Sequence, residues 1–425
     1  MNNALFDYIS ASPTAYHAVA RTAAMLDKAG YACLSEGENW TLEPGKGYYV
    51  KRNGSSLIAF RVPRGEWLGF MMTASHCDSP CFKIKENGEL AEEHYVRLST
   101  EKYGGMLCAS WMDRPLSIAG RVTVRTENGI SVRLVDLGEP CAVIPNVAIH
   151  MNRAANDGMK YDPAVDMLPL YSDGAGKGTL RARVAACVGA AEEDVLTTDL
   201  FVYNPQRGQA WSRFISAPRL DDLQCAFGAL TAFLAAEESS SVPVYCLFDN
   251  EEVGSETKQG AASTFLYDVL RRISGPDGEA YRRHVANSFL VSCDNAHAVH
   301  PNHPEYRDRN HSVYMNGGIV IKYNANQKYT SDAVSAAIFR LVCEGVGVPV
   351  QEYANRADMA GGSTLGNIAN TQVSLNTVDI GLPQLAMHSA FETAGADDTE
   401  YLMRALTAFY GRSLRMESDG SYRFV

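Results

Sequence analysis

Residues 242–256 read "VPVYCLFDNEEVGSE". An apolar run ends here, and Asp249, Glu251 and Glu252 follow within four positions. A short apolar run bounded by turn-forming residues is typical of a strand that is buried on both faces. Adjacent carboxylates repel each other unless a positive charge lies beside them. The stretch therefore predicts a buried strand that ends at a cation site, with an acidic surface turn as the alternative.

Helical and strand patterns alternate on both sides of this run, and Gly, Pro or Asn separates many of them. The predicted helices are 14–29, 221–238, 262–273, 331–347 and 398–413, and the predicted strands are 47–52, 56–62, 67–76, 287–296 and 374–383. Alternating strands and helices predict a mostly parallel sheet that is flanked by helices. The fold class is therefore α/β.

The middle of the chain has a different pattern. Most of residues 88–215 is β-rich, including residues 141–151, whereas residues 161–180 resemble a loop. A chain of 425 residues is also long for one compact core. We predict a discontinuous α/β domain, formed by residues 1–87 and 216–425, with an inserted β-rich domain at 88–215.

The composition excludes several classes of partner. The formal net charge is -11, which disfavours nucleic acid or an anionic membrane as the main partner. No apolar stretch approaches 20 residues and the first residues lack a basic segment before an apolar core, so we expect neither a membrane span nor a signal peptide. Ten scattered cysteines then indicate reduced thiols. We expect a cytoplasmic enzyme.

Residues of the kind that bind metals follow several apolar runs. They are His76, Asp78, Glu251, Glu252, Asp294 and His388, and Asp221 opens the helix that follows "PRL". Imidazole and carboxylate ligands suit Zn²⁺, with Mn²⁺ or Co²⁺ as substitutes. Taken singly, Asp294 could cap a turn and His388 could be a core histidine. Together, these residues favour a metal site.

The two adjacent glutamates need not have the same function. Consecutive residues at a strand end cannot point the same way, so one can bind metal while the other accepts a proton from water. His76 and Asp78, two positions apart, face the same way on a strand, and an acid there could fix the tautomer of a ligating histidine.

Other motifs have weaker functional readings. His297, His300 and His303 lie among prolines, which break any helix, so we treat them as loop residues that could contact substrate. Cys77 and Cys81 lack further ligands for a structural zinc. The glycine-rich "GGSTLG" lacks the lysine of a phosphate-binding loop, and it could let a substrate backbone approach.

Nine segments, in order from residue 75 to 389, resemble the aspartyl aminopeptidase family of dinuclear zinc exopeptidases. The segments are "SHCDSP", "GGMLCASWMDRPLSIAGR", "VIPNVAIHMNR", "PRLDDL", "DNEEVGSE", "CDNAHAVHPN", "NGGIVIKYNANQKY", "GGSTLGNI" and "VDIGLPQLAMHS". The resemblance implies a fold of the zinc-exopeptidase type, with an inserted domain that mediates dimer contacts and partly covers the site.

The resemblance also implies a role for each ligand. Two zinc ions per subunit would be held, the first by His76 and Asp294, the second by Glu252 and His388, with Asp221 bridging them. Glu251 would be the general base that activates a water between the ions, and Asp78 would orient His76. The implied reaction removes an N-terminal residue, preferably Asp or Glu, from a peptide with a free N-terminus.

Substrate and subunit contacts follow from the same resemblance. Lys322 would meet the acidic side chain of the substrate, with His297 as a further candidate, and His150 would reach the active site of a neighbouring subunit. Homodimers would assemble into a homododecamer.

Three departures from the family pattern leave the specificity open. Cys77 replaces the usual Thr, Asp222 replaces the usual Asn, and no Arg precedes Glu392. Loss of positive charge near the pocket leaves open an aminopeptidase with neutral or broad specificity. A catalytically silent scaffold is a further alternative.

Overall fold

The structure is a computed structural model that describes residues 2–425. The helices in this range are α1 Asn2–Ser10, α2 Ala15–Lys28, α3 Thr179–Cys187, α4 Leu220–Ala235, α5 Phe265–Ile273, α6 Gly278–Ala286, α7 Ala333–Gly345, α8 Leu365–Ala369 and α9 Asp398–Tyr410. The strands up to residue 211 are β1 Ala32–Leu34, β2 Gly47–Arg52, β3 Ser56–Arg61, β4 Phe70–His76, β5 Cys81–Ala91, β6 Tyr95–Tyr103, β7 Ser117–Thr126, β8 Gly129–Asp136, β9 Leu170–Asp173, β10 Val195–Tyr203 and β11 Gln209–Trp211. The later strands are β12 Phe214–Ala217, β13 Val242–Phe248, β14 Phe289–Cys293, β15 Ala296–His297, β16 Ile319–Tyr323, β17 Val350–Ala354, β18 Asn376–Gly381, β19 Pro383–Leu385, β20 Glu392–Gly395, β21 Leu414–Ser418 and β22 Ser421–Phe424.

The largest sheet has nine strands in the order β1-β2-β3-β13-β4-β14-β18-β16-β17. Its central strands β13, β4, β14 and β18 pair in parallel. Antiparallel pairs occur at β2–β3, β3–β13 and β16–β18. The sheet is mostly parallel, and helices flank it, which confirms the predicted α/β class.

The position of strand β13 within the sheet explains why its sequence is apolar throughout. Val244, Cys246 and Phe248 pack on the face of the sheet that α5 and α8 cover. Tyr245 and Leu247 pack on the opposite face, which α1, α2, α4, α7 and α9 cover. Because water reaches neither face, every position of the strand favours an apolar side chain.

The second sheet has six strands in the order β8-β7-β10-β5-β6-β9. All strand pairings in this sheet are antiparallel. Helix α3 packs against the sheet, and the two share an apolar core that is separate from the cores of the large sheet. Strand β5 of this sheet spans the predicted boundary between residues 87 and 88. The domain boundaries stay predictions.

Some local predictions were wrong. Residues 141–151 were expected to be β-rich, but they form only isolated bridges at Ala142, Val143 and Ile144 and then a turn. Pro145 lacks the N–H that a ladder needs, which accounts for the interruption. The expected loop at 161–180 contains β9 and the start of α3.

Four helices were missed by sequence reasoning: α1, α3, α6 and α8. Helix α6 has no fully buried side chain, and its apolar stripe is short, with Tyr281 and Val285 partly buried against the core. None of the helices within residues 2–425 is long and apolar enough to cross a membrane. All ten cysteines are free thiols.

Candidate active site

Three parallel neighbours in the large sheet bring the predicted ligands to one edge. His76 is the last residue of β4, and Asp294 comes directly after β14. Glu251 and Glu252 lie in a 3₁₀ turn, Glu251–Val253, that follows β13, and β13 neighbours β4 on the side opposite to β14. The carboxyl ends of parallel strands meet at the same edge of a sheet, which is where α/β proteins place their sites.

The other two predicted ligands enter from outside these strands. Asp221 lies in the first turn of α4, but its backbone is extended, with φ -78° and ψ 111°. His388 follows β19 and has a left-handed backbone, with φ 66°. These irregular conformations turn both side chains toward the strand ends.

The five side chains form two ligand sets that share Asp221. The Nε2 atom of His76 lies 3.4 Å from Asp221 Oδ1 and 3.9 Å from Asp294 Oδ1. The Nε2 atom of His388 lies 3.3 Å from Asp221 Oδ2 and 3.4 Å from Glu252 Oε2. Each oxygen of the Asp221 carboxylate therefore faces a different set.

The donor atoms fit divalent cations. In each set, the three potential ligand atoms lie within 4.8 Å of one another. Asp221 Oδ1 and Glu252 Oε1 are buried and have no hydrogen-bond partner within residues 2–425. A buried carboxylate oxygen without a partner is costly unless it meets a cation. Histidine and carboxylate donors without thiolate suit Zn²⁺.

Both histidines present Nε2 to these sets because their Nδ1 atoms are already bonded. Nδ1 of His76 donates to the carbonyl oxygen of Asp78 at 3.0 Å. Nδ1 of His388 donates to the carbonyl oxygen of Gly105 at 2.6 Å. A carbonyl can only accept, so each Nδ1 carries a proton, and Nε2 is the ring nitrogen that remains available to a metal ion.

The Asp78 carboxylate supports the turn that carries the two glutamates. Its Oδ1 accepts the backbone N–H of Glu251 at 3.1 Å, and its Oδ2 accepts that of Glu252 at 3.2 Å. Oδ1 also lies 3.4 Å from Nδ1 of His76. Asp78 therefore contacts His76 as expected, but its carbonyl makes the shorter contact while its carboxylate holds the glutamate backbone.

The electrostatics differ between the acids. Burial raises the pKa of Glu251 to about 8, and the carboxylates of Asp294 and Asp78 add to that rise, while His76 opposes it. Burial also opposes ionisation of Asp221, but the adjoining imidazoles of His388 and His76 outweigh it and hold the Asp221 pKa below its usual value. Asp221 is thus the anion that the site favours most strongly.

A cavity of about 270 Å³ opens beside the two sets. Its lining includes Glu251 but not Glu252, together with His297, Lys322 and the aromatic rings of Tyr329 and Tyr353. The remaining lining residues are Asp221, Asp294, Asn295, Ala296, Gly362, Ser363, Thr364, Met387 and His388. The glycine-rich segment 361–366 therefore contributes to the cavity wall.

Lys322 is buried at this cavity and is already bonded. Its Nζ donates to the carbonyl oxygen of Asn295 at 2.8 Å and lies 3.7 Å from Asp294 Oδ2. It also lies 5.4 Å from the ring centroid of Tyr329. Among the described residues that line the cavity, Lys322 is the one lysine or arginine.

The remaining predicted residues lie elsewhere. His150 is exposed in a turn and does not line the cavity within its own chain. His300 and His303 lie in the loop after β15, where His303 contacts Glu305. The Cys77 thiol lies 3.2 Å from the carbonyl oxygens of both Ser55, just before β3, and Phe248, the last residue of β13, which is a structural role.

Sequence reasoning missed two side chains that support the site. Glu392 is buried, and its oxygens accept the backbone N–H groups of His388 at 2.7 Å and of Asp221 at 3.0 Å. Tyr103 donates to the Asp78 carboxylate at 2.7 Å. Tyr103 lies 25 residues from Asp78, and Glu392 lies four residues from His388 but 171 from Asp221. The only local signal was an acid within the apolar stretch "SAFETAG".

Asp222, noted as a departure, also supports the site. Its Oδ2 accepts the backbone N–H of His76 at 3.1 Å. Burial raises the pKa of Asp222 well above its usual value, with His76 opposing and Asp294 adding to the rise. The carboxyl therefore lies behind His76 rather than in the cavity.

Comparisons with known proteins agree with this geometry. The family model described as aminopeptidase I zinc metalloprotease (M18) matches residues 8–410. A probable M18 family aminopeptidase 2 from Clostridium novyi is 43% identical over 423 residues, covering 96% of this chain and 98% of that protein.

Solved structures match over nearly the whole chain. A chain of the cryo-EM structure of the Ape4 and Nbr1 complex has a TM-score of 0.93 at 33% identity, covering 96% of this chain and 84% of that one. A chain of the mApe1 dodecamer of S. cerevisiae has a TM-score of 0.84 at 28% identity, and the match covers 96% of this chain and 95% of that one. The sequence resemblance is thereby confirmed at the level of the family. The chain belongs to the M18 family of zinc metalloproteases, and it is a metal-dependent aminopeptidase.

Proposed function

We propose that this aminopeptidase removes N-terminal Asp or Glu from peptides, with two zinc ions and Glu251 as the general base. The observation that carries the proposal is the pair of ligand sets that share Asp221, with Glu251 beside them at the wall of a cavity that contains Lys322. The family is already described as a zinc metalloprotease. The number of ions, the base and the acidic preference are the proposed parts.

His76 and Asp294 would hold one ion, Glu252 and His388 would hold the other, and Asp221 would bridge them. When bound, zinc supplies Lewis acidity, which lowers the pKa of water and stabilises negative charge on oxygen. Mn²⁺ or Co²⁺ could substitute, because the donor set contains no thiolate.

Glu251 and Glu252 would have different roles, one as a general base and the other as a metal ligand. Glu252 Oε2 faces His388 Nε2 at 3.4 Å, within a ligand set. Glu251 lines the cavity, where a substrate carbonyl and the attacking water would lie. Its carboxylate would take the proton of that water during attack and then deliver it to the leaving amine.

The acidic preference rests on Lys322. The protein has a net charge of -11, so an acidic substrate side chain needs a local cation at the cavity. Lys322 provides that charge in the buried wall, and its ammonium can donate up to three hydrogen bonds. One goes to the Asn295 carbonyl, which leaves capacity for a substrate carboxylate.

A neutral or broad preference is the second candidate, and one observation favours it. The Lys322 ammonium lies 3.7 Å from the Asp294 carboxylate, so its charge is partly neutralised before substrate arrives. The tyrosine rings of the same cavity would suit an apolar side chain.

Initial rates on Asp-, Glu- and Leu-anilides, together with zinc analysis of the purified protein, test the proposal. We expect two zinc ions per chain and rates on Asp or Glu well above the rate on Leu. A Leu rate far above the Asp rate would support the second candidate. Blank-level rates with zinc bound would indicate a catalytically silent scaffold instead.

We also propose that the chain forms homodimers that assemble into a homododecamer, in which His150 reaches a neighbouring site. The dodecamer of mApe1 and the exposure of His150 support this arrangement. Light scattering after size exclusion measures the mass, and a monomer that retains full activity would contradict it. The cytoplasmic location stays a prediction.

A further inference from the structure

The end of β6 and the turn that follows it contact Glu252 and His388 of one ligand set, and they also contact Asp78, which lies beside His76 of the other set. This segment comprises residues 103–107, and we call it the β6 turn. Its contacts involve the hydroxyl of Tyr103, the backbone of Gly104 and Gly105, and the N–H of Leu107. The five proposed metal ligands all come from other parts of the chain. The contacts of the β6 turn therefore join the two sheets at the site.

Tyr103 supports the side of the site that contains Asp78. Its hydroxyl donates to Asp78 Oδ2 at 2.7 Å and accepts from Asn250 Nδ2 at 2.8 Å. Its ring packs edge-on against Phe201 of the same sheet, with centroids 5.8 Å apart. The Asp78 carboxylate in turn holds the backbone N–H groups of Glu251 and Glu252, so the phenol fixes the acceptor on which the glutamate turn depends.

Gly104 lets the turn approach the ligand Glu252 closely. Its φ is 74°, a left-handed conformation that glycine adopts without strain. A Cβ atom at this position would lie 3.1 Å from Glu252 Cβ and 3.4 Å from its carbonyl oxygen. Any larger residue would therefore push against the ligand itself.

The rest of the turn holds His388 at two atoms. The Gly105 carbonyl accepts from Nδ1 of His388 at 2.6 Å, and the Leu107 N–H donates to the His388 carbonyl at 3.0 Å. Just beyond, Ser110 Oγ accepts the N–H of Ala390 at 2.9 Å. His388 has a left-handed backbone, which needs such external support to persist.

We propose that the β6 turn is the positioning element of the metal centre and that Tyr103 is a positioning residue that acts through Asp78. The six-stranded sheet thereby sets the geometry of ligands that the nine-stranded sheet supplies. This inference rests on the proposed two-metal function. Tyr103 touches neither the ligand atoms nor the cavity, so its effect passes through Asp78 and the two glutamates.

The test is Tyr103→Phe, which removes one hydroxyl and keeps the ring, with Tyr95→Phe as the matched control. Tyr95 lies on the same strand and is 57% exposed. Partners that orient metal ligands typically contribute about 10- to 100-fold in metal affinity or activity. We expect a loss of that size in kcat or in zinc affinity for Tyr103→Phe, with KM changed by less than about two-fold. The visible spectrum of the Co²⁺-substituted protein should also shift.

Ser110→Ala is the second variant, because it loosens the His388 side without touching Asp78. We expect weaker binding of one of the two ions in a chelator competition, and an altered Co²⁺ spectrum. Folded Tyr103→Phe and Ser110→Ala proteins with parental kcat, zinc affinity and Co²⁺ spectrum would overturn the inference. Failure of the parent itself to bind zinc and cleave anilides would instead refute the proposed function.

Discussion

Glu392→Ala is the substitution for which the structure gives the clearest magnitude. Glu392 begins β20 and is 2% exposed. Its two carboxylate oxygens accept the backbone N–H groups of His388 and Asp221, one from each side of the site. Alanine would leave the buried N–H of Asp221 and the partly buried N–H of His388 without an acceptor.

Each buried polar group left unsatisfied costs about 1–3 kcal/mol, so the two together predict a loss of about 2–6 kcal/mol in the free energy of unfolding. An opposing effect reduces this figure. Burial raises the pKa of Glu392 to about 8, helped by the Asp221 charge, which means that the ionised carboxylate is itself disfavoured there. We therefore expect the lower half of the range. Glu392→Gln keeps one acceptor oxygen and should lose about half as much.

Urea unfolding of the metal-free protein measures this loss, and zinc competition with a chelator measures the effect on the site. Glu237→Ala is the control, because Glu237 is exposed just beyond α4. We expect zinc affinity to fall with stability, because both N–H groups belong to predicted ligands. An unfolding free energy within about 0.5 kcal/mol of the parent, the usual effect of a surface substitution, would refute the reasoning.

Three further predictions follow from single side chains. Glu251→Gln should keep zinc and lose at least about 10²- to 10⁴-fold in turnover, with exposed Glu256→Gln as the control from the same stretch; near-normal turnover would exclude Glu251 as the base. Lys322→Met should lower the rate on Asp-anilide more than the rate on Leu-anilide, whereas an equal loss would mean that Lys322 serves only Asp294. Burial lowers the pKa of His17 to about 4, although the Asp136 charge opposes the shift. Below about pH 6.5 the unfolded chain therefore binds a proton at His17 that the folded chain does not bind. The free energy of unfolding should fall by about 2 kcal/mol between pH 7 and 5. His17→Gln should remove that share of the pH dependence in urea unfolding, and an unchanged slope would contradict the assignment.

The sequence predicted the large sheet well because its strands are buried on both faces. The apolar run at 242–248 and its neighbours at 67–76 and 287–296 form the centre of the sheet in parallel pairs. Such runs carry their own signal, since every position must be apolar. Helix α6 and the segment around Pro145 carried no such signal, and there the predictions failed or were absent.

The candidate ligand positions stood out in the sequence for a related reason. Polar side chains that end buried apolar runs are conspicuous, so His76, Asp294 and the two glutamates could be found from their local context. Supporting groups such as Tyr103 and Glu392 could not, because Tyr103 meets Asp78, and Glu392 meets Asp221, only in the folded chain. Tyr103 looks like an ordinary strand residue until β6 is placed beside Asp78.

The adjacency of Glu251 and Glu252 has a structural explanation. Both backbone N–H groups bond to a single carboxylate, that of Asp78, which fixes the turn while leaving the two side chains free to diverge. Glu252 then points toward His388, and Glu251 points into the cavity wall. A third carboxylate so close would repel the pair in the absence of positive charge. Because Asp78 is itself bonded to Tyr103 of the six-stranded sheet, the hydrogen bonds that shape this turn depend on contact between the two sheets.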